Sequence, residues 1–463
     1  MDHQHTAPRA PTHDAGLTRR IARGAAGTFA LNIAGSALNF LIAIVLTRVL
    51  TLSGYGLVVF VMALVMLLAI PGVLGLDRLL TREVAVHDRR GELGAARAVV
   101  SGSRLMTLSA AIAIGLVAAL VSIVVARGVA SETVVAVWIG LVALPLATWN
   151  RVQQGATLGM RRIVAAQAPE MVIRPLAFII LVGLAAAVLG VPLTAPVVLV
   201  LFAVSFAAAV GLGAIFLVRA MSTPGALPAR GATFPSLRHA LPFAILGGAA
   251  VINNQAGIVL LGLMATTEQS GLYGAAARLV LLIPFALTAV NAVLSPTAAR
   301  LWDAGRTQEL RRLVTLSARV TLLCSLPPAL GFILFGSWFL DLAFPPPFTA
   351  AAPALAILSL GQLVNAAMGS AGTLLTMARR ERQAALGVTV GAAVTVVVSV
   401  ALIPWLGVVG AAWAGALSLT TWNIWLALVA RRELGIDTTA LGLHPRSLHR
   451  PAIVEELGRP SDA

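Results

Sequence analysis

The stretch LTRVLTLSGYGLVVFVMALVMLLAIPGVLGLDRLLTREVA, residues 46–85, decides the fold. It contains a Gly-Tyr-Gly turn, then a run of about 20 apolar residues, which is enough to cross a bilayer, and then an exit rich in Asp and Arg. Much of it returns at residues 269–305 as QSGLYGAAARLVLLIPFALTAVNAVLSPTAARLWDAG. The chain has only two tyrosines, Tyr55 and Tyr273, and they are 218 residues apart. The repeat therefore predicts a duplicated membrane hairpin.

The duplication extends beyond this hairpin. Arg82 recurs as Arg300 at the offset of 218, and the pair Arg161-Arg162 recurs as Arg379-Arg380. Six helices in each half is an even number, so both halves would enter the membrane in the same sense. Such parallel repeats are related by an axis along the membrane normal, and the substrate path lies between them.

Composition indicates an all-α polytopic membrane protein. Of 463 residues 59% are hydrophobic and 11% are charged, and the mean hydropathy is +0.92. We predict twelve transmembrane helices in two six-helix lobes. The predicted spans are 24–47, 56–76, 104–126, 133–155, 170–188, 193–218, 239–264, 276–298, 316–336, 350–376, 382–404 and 407–430.

The net charge of +15 would suggest nucleic-acid binding in a soluble protein, but the arginines follow the membrane topology instead. Every one of the 33 basic residues is Arg, and all but Arg48, Arg127 and Arg278 fall in the tails or at the even-numbered connections. The positive-inside rule then predicts cytoplasmic termini, with the first helix kept as a signal anchor, and no nucleic-acid partner.

Domain boundaries follow from the same pattern. We predict a cytoplasmic N-tail (1–23), an N-lobe with helices 1–6 (24–218), a cytoplasmic linker (219–238), a C-lobe with helices 7–12 (239–430) and a cytoplasmic C-tail (431–463).

The sequence carries no pattern typical of a catalytic or cofactor site. It has no His/Cys/Asp/Glu cluster with metal-ligand spacing, no nucleotide-binding loop and no nucleophile motif, and the connections on the outer face are short. We therefore expect no enzyme activity, no metal and no cofactor.

Charged residues within the spans are candidates for the functional site, because a buried Arg costs at least about 2.5–3.5 kcal/mol on insertion scales. Arg174 follows Glu170 by four residues, Arg278 follows Tyr273, and Arg48 ends the first span. One interpretation is an ion pair or a side chain that extends to the interface. The other is a guanidinium that faces a central cavity and binds phosphate.

Polar uncharged residues collect on the first and seventh predicted helices. Asn32, Ser36 and Asn39 follow i, i+4, i+7 spacing and share one face, while Asn253 and Asn254 lie on the seventh helix. Asn291 extends the pattern to the eighth helix. These side chains either form interhelical hydrogen bonds or line the cavity.

Residues 46–85 and three later segments resemble the bacterial polysaccharide-biosynthesis membrane proteins, the oligosaccharide flippases of the multidrug/oligosaccharidyl-lipid/polysaccharide exporter superfamily. The later segments are GLYGAAARLVLLIPFALTAVNAVLSPTAARLW, APALAILSLGQLVNAAMGSAGTLLTMARRERQAA and IPWLGVVGAAWAGALSLTTWNIWLALVARRELGI. The resemblance covers about residues 20–435, and its motifs indicate the family better than the substrate.

The resemblance implies a V-shaped MATE-like fold in the bacterial cytoplasmic membrane, with a cationic cavity between the lobes. It implies alternating access that moves a polyprenyl-diphosphate-linked oligosaccharide, the precursor of O-antigen, exopolysaccharide or capsule. Arg174, Arg278 and Arg48 would contact the diphosphate or acidic sugars, membrane lipid would surround the carrier, and other polysaccharide-assembly proteins are candidate partners. Two alternatives are a multidrug/cation antiporter and a lipid II flippase. The antiporter is disfavoured because the first and seventh helices lack a carboxylate.

Overall fold

The computed structural model describes residues 14–125, 131–187, 190, 192–222 and 233–443, and within these ranges the chain is helical and contains no strand. The first half contains eight α-helices: α1 (Asp14–Val49), α2 (Leu52–Val73), α3 (Leu76–Arg90), α4 (Leu93–Val125), α5 (Ser131–Gly159), α6 (Ile163–Ala168), α7 (Arg174–Ala187) and α8 (Ala195–Met221). A π-helical turn, Pro169–Ile173, joins α6 to α7.

The second half contains eight more helices and a 3-10 segment, Pro346–Ala351. The helices are α9 (Leu237–Met264), α10 (Thr267–Val280), α11 (Phe285–Asp303), α12 (Thr307–Ala343), α13 (Ala352–Met368), α14 (Ala371–Met377), α15 (Glu381–Leu406) and α16 (Val408–Leu434). The helices of the first half pack around α5, and those of the second half pack around α13 and α16.

Eleven helices of the described residues are long and apolar enough to cross a membrane. The bent pair Thr267–Val280 and Phe285–Ala292 gives a twelfth span if it is counted as one. The protein is therefore a multi-span membrane protein, and the all-α fold class is confirmed.

The internal duplication is visible in the backbone. Arg161 and Arg379 both adopt left-handed conformations, with φ of 57° and 58°, although neither is a glycine. Arg161 N donates to Leu158 O (2.9 Å), and Arg379 N donates to Thr376 O (3.2 Å) at the same offset of 218. The paired arginines therefore mark the same turn in each half.

The eighth predicted span, 276–298, is wrong as a continuous helix. Its helix starts earlier, at Thr267, where the Thr266 hydroxyl accepts a hydrogen bond from Gln269 N. The helix stops at Val280 and resumes at Phe285 with a bend of 43°. Pro284 has no backbone N–H and cannot continue the α-helical ladder, so the chain leaves the helix before it.

Helix α3 was not among the predicted elements, because its charges made the stretch after α2 look like a loop. Leu76, Leu79, Leu80 and Val84 are buried on one face, and the Asp and Arg residues occupy the other. The helix is therefore amphipathic and lies against the N-lobe at its arginine-rich end.

The two lobes meet along the full length of α2. At one end Gly56 packs against the backbone of Thr267, and a Cβ at Gly56 would overlap the Thr267 carbonyl oxygen. In the middle Phe60 packs on Gly262 of α9, and at the other end Gly75 packs on Ala240. The seam between α2 and the pair α9–α10 is thus tightly closed.

Candidate functional site

Arg278 lies on the last turn of α10, immediately before the break in the eighth span. In the turn between α10 and α11, the carbonyl of Ile283 accepts a hydrogen bond from Ser325 Oγ (3.3 Å) of α12. Broken helices of this kind commonly form the binding sites of membrane transporters. The break therefore places a cation beside irregular backbone within the span.

A cavity of about 200 Å³ separates Arg278 from α1. It lies between the two halves of the chain, because α1 supplies one wall and the break between α10 and α11 supplies the other. Its lining residues are Ile33, Ser36, Ala37, Asn39 and Phe40 of α1 with Arg278, Leu281, Leu282 and Phe285 opposite. We call this space the inter-lobe cavity. It brings together Arg278 and Asn39, two of the residues that the sequence singled out.

Among the described residues, no acid neutralises the charge of Arg278. No carboxylate of the described residues forms an ion pair with its guanidinium, which is only partly exposed. A guanidinium carries five N–H donors in a planar fork that matches phosphate or carboxylate oxygens. The inter-lobe cavity is therefore a site that favours an anion.

The α1 wall presents amide groups that are only partly used. Asn39 Nδ2 donates to Gly35 O (2.7 Å) and Asn32 Nδ2 donates to Thr28 O (2.9 Å), both on their own helix. Asn39 lines the inter-lobe cavity, whereas Asn32 is not part of its lining. An amide that bonds only to its own helix keeps its carbonyl oxygen as an acceptor for a hydroxyl group.

Arg174 lies elsewhere, inside the N-lobe. It is 7% exposed, and its Nε lies 3.1 Å from Glu170 Oε1. Its guanidinium carbon sits 5.1 Å from the ring centroid of Phe206 and 5.8 Å from that of Phe202, both on α8. Arg174 is not part of the inter-lobe cavity lining, so its role as a substrate ligand stays a prediction.

Glu170 belongs to a small, partly buried network of which the sequence showed only one pair. Its second oxygen, Oε2, accepts a hydrogen bond from Asn150 Nδ2 of α5 at 2.7 Å. The sequence shows the i, i+4 spacing of Glu170 and Arg174. Asn150 is 20 residues from Glu170 in the sequence, and only the packing of α5 against the π-helical turn brings the two side chains together.

Asn253 is fully engaged within the C-lobe. Its Nδ2 donates to Val388 O (3.1 Å), and its Oδ1 accepts from Thr395 Oγ1 and Ser418 Oγ, both at 3.0 Å. These contacts join α9 to α15 and α16. Asn253 therefore acts as an interhelical hydrogen-bonding group in this conformation.

The other candidates lie apart from the inter-lobe cavity lining. Asn254 is exposed, and its Nδ2 donates to Ala250 O (2.7 Å). Arg48 is exposed at the end of α1. Asn291 of α11 has a buried Oδ1 with no hydrogen-bond partner among the described residues, so it keeps an acceptor for a ligand or a water. Their roles as ligands stay predictions. Within the described ranges, no group of three or more His, Cys, Asp or Glu could hold a metal ion.

The comparisons with known proteins agree with this architecture. Residues 21–302 match the family described as polysaccharide biosynthesis protein. The probable flippase AglR of Haloferax volcanii is 29% identical over 172 residues, which are 36% of this chain and 35% of that protein. The match thus spans about a third of the relative's length.

Solved transporter structures share the fold at low sequence identity. The lipid II flippase MurJ, in an inward closed conformation, superposes with a TM-score of 0.67 at 12% identity, over 88% of this chain and 87% of that one. An inward-facing multidrug resistance MATE family transporter gives 0.65 at 13% identity, over 86% and 94%. The multidrug transporter DinF-BH gives 0.62 at 17% identity, over 93% and 98%. These likenesses confirm the predicted MATE-like fold.

A family match over more than half of the chain, together with this fold, identifies the protein as a member of the polysaccharide biosynthesis protein family.

Proposed function

We propose that the chain is a flippase, with no enzyme activity, that moves a polyprenyl-diphosphate-linked oligosaccharide across the bacterial cytoplasmic membrane by alternating access. The observation that carries the proposal is Arg278, which faces the inter-lobe cavity at a broken helix without an acidic partner among the described residues. A diphosphate supplies the anionic oxygens that this guanidinium binds best. The amide of Asn39 and the hydroxyl of Ser36 then face the sugars.

The size of the inter-lobe cavity implies a closed state. A volume of about 200 Å³ corresponds to roughly six or seven waters at about 30 Å³ each, which is too little for an oligosaccharide. Transport therefore requires the lobes to separate. Because the α2 seam is packed along its whole length, we infer that separation begins on the opposite side, between α1 and the α10–α11 break.

The edge of the cavity suits a lipid carrier. Ile33 is 42% exposed and Leu281 is 46% exposed, and both line the cavity from opposite walls. An apolar edge open to the bilayer lets the hydrocarbon chain of the carrier remain in lipid while its diphosphate reaches Arg278. Both termini would be cytoplasmic, because they lie at the same end of the helices as the arginine-rich connections.

The antiporter remains a weaker alternative. The spans of α1 (Gly27–Val49) and α9 (Leu237–Met264) contain no Asp or Glu. Glu170, a carboxylate of the Ile163–Ala187 span, is paired with Arg174 and Asn150. Neither arrangement offers an unpaired acid for a coupling cation.

Mass spectrometry of polyprenyl-linked intermediates in a strain that lacks the protein tests the proposal. One complete polyprenyl-diphosphate oligosaccharide should accumulate, and the wild-type gene should clear it. An unchanged lipid pool with new drug sensitivity would instead identify an antiporter, and accumulation of lipid II would identify a lipid II flippase.

A further inference from the structure

A second cationic cavity lies within the N-lobe, away from the inter-lobe cavity. It has a volume of about 540 Å³ and is formed by α4, α5 and α8. Its lining includes Arg97, Ser101 and Arg104 of α4, Trp149 and Gln153 of α5, and Val218 of α8. We call it the α4–α8 pocket.

The basic side of the pocket is built by one helix face. Arg97, Ser101 and Arg104 follow i, i+4, i+7 spacing, so their side chains project from the same side of α4. Arg97 Nη2 donates to Met221 O at the end of α8, which fixes that guanidinium at the rim and leaves its other N–H groups available. Arg104 is exposed, and no described carboxylate forms an ion pair with it.

Opposite the arginines lies a buried acceptor. Gln153 is only 2% exposed, and its Nε2 donates to Val210 O (3.2 Å) of α8. Its Oε1 is buried, and no group in the described part of the chain donates a hydrogen bond to it. A buried amide oxygen without a donor is costly, so a ligand hydroxyl at this position would be stabilising.

The remaining wall is apolar and open to the bilayer. Val218 lines the pocket and is 63% exposed, and Leu105, next to Arg104, is 57% exposed. The pocket lies near the first turns of α4 and the last turns of α5 and α8, at the arginine-rich end of the helices. Trp149 adds an aromatic ring of the kind found at membrane–water interfaces.

We propose that the α4–α8 pocket binds the headgroup of an anionic glycerophospholipid, with phosphatidylglycerol as the fitting chemistry. The phosphodiester lies between Arg97 and Arg104, a glycerol hydroxyl donates to Gln153 Oε1, and the acyl chains run over Val218 and Leu105. Basic pockets between membrane helices on the cytoplasmic side bind such headgroups. The binding does not depend on which substrate the inter-lobe cavity takes.

The position of the pocket links the lipid to the connection between the lobes. Met221, whose carbonyl accepts from Arg97, is the last residue of α8 and lies within the predicted linker (219–238). Thr233 N, also within the predicted linker, donates to Ala98 O (3.0 Å) on α4. The bound lipid would therefore sit where α4 holds both ends of the connection.

Titration of purified full-length protein in detergent with lipid, followed by native mass spectrometry and thermal unfolding, tests this site. Phosphatidylglycerol should bind and raise the unfolding temperature more than phosphatidylcholine with the same acyl chains. Arg104→Gln should weaken phosphatidylglycerol binding about five-fold, since one arginine near a lipid headgroup contributes about 1 kcal/mol.

The matched control is Arg89→Gln on α3, which removes an exposed arginine from the same end of the molecule but not from the pocket. Equal losses in the two variants, or equal binding of the two lipids, would overturn the proposal. Glycerol 3-phosphate serves as the soluble probe. If it stabilises the protein as well as the lipid does at equal concentration, the pocket is a site for a free phosphate and not for a lipid.

Discussion

The two copies of the duplicated hairpin begin with similar sequences and end with different structures. In the first copy α2 continues unbroken from Leu52 to Val73 and is buried along the seam between the lobes. In the second copy the span breaks between Val280 and Phe285 and carries Arg278 beside the break. The position equivalent to Arg278 in the first copy is Phe60, which packs on Gly262.

The two helices are similar in sequence because of the duplication, but they have diverged into different structural roles. The first helix, α2, forms a close-packed contact between the lobes, with glycines where it crosses α9 and α10. The second is broken and carries an arginine that has no acidic partner in the described part of the chain. The paired helices α1 and α9 diverged in the same way, since Asn39 faces the inter-lobe cavity and Asn253 is bonded into its own lobe.

The largest effect is expected at Arg278. Arg278→Ala should abolish transport, measured as loss of complementation and accumulation of the lipid-linked intermediate, with normal protein levels. Arg278→Lys should restore only part of it, because a point charge lacks the bidentate geometry. Arg300→Ala, which removes an exposed arginine from the end of the same span, is the control. Full activity of Arg278→Ala would remove the main support for the proposed function.

The equivalent glycines should respond unequally. Gly56→Ala places its Cβ against a backbone carbonyl that cannot move aside, so we expect a loss of about 3 kcal/mol at the upper end of overpacking effects. Gly274→Ala meets only Val59 Cγ1 at 2.9 Å, a side-chain atom that can shift, and should cost less. Thermal unfolding in detergent measures both, and equal losses would mean that the two copies contact each other symmetrically.

Arg174 should behave as a stabilising residue of the N-lobe, in contrast to Arg278. Arg174→Gln leaves Glu170 without its cation and should lower stability by about 1–3 kcal/mol, a value limited by the partial exposure of Glu170. The double variant Glu170→Gln/Arg174→Gln removes both charges and should recover much of the loss. If the double variant is as unstable as the single one but transport persists, the loss of stability does not come from leaving Glu170 without its cation.

The smallest effects concern the asparagines. Asn253→Ala removes hydrogen bonds to α15 and α16. The hydroxyls of Thr395 and Ser418 keep Gly391 O as an acceptor, so the loss should be about 1 kcal/mol of unfolding free energy. Asn39→Ala removes only a bond to its own helix, so stability should change little while transport slows. Transport assays normalised to protein level separate the two, and a stability loss in Asn39→Ala equal to that of Asn253→Ala would contradict the assignment.

Much of the fold could be predicted because its signals are local. Apolar runs and the arginines at their ends mark the spans, and eleven of the twelve predicted spans each overlap one membrane helix among the described residues. Of these, 350–376 is too long, because α13 ends at Met368 and a separate short helix, α14, follows. The exception, 276–298, failed because an apolar composition does not show where backbone hydrogen bonds stop. Pro284 is present in the sequence, but a proline occurs both in helices that are only kinked and in helices that are broken.

The candidate site was predictable only in part. The sequence singled out both Arg174 and Arg278, as charges within apolar spans. It did not show that the rings of Phe202 and Phe206 would cover Arg174. It also did not show that Arg278 would face α1 across the inter-lobe cavity. Arg97 and Arg104 share a helix face that the spacing shows, but Gln153 and the wall from α8 join them only in space.

By itself the sequence determined an all-α chain of about twelve membrane spans, a parallel duplication and a set of charged candidates. It did so because a bilayer requires apolar runs of set length and because arginine partitions to one side, both of which act on each segment separately. Only the tertiary structure decided that Arg174 is paired with Glu170 and that Arg278 faces the inter-lobe cavity. That outcome depends on partners distant in sequence, and the free energy of a buried charge is set by the groups that surround it.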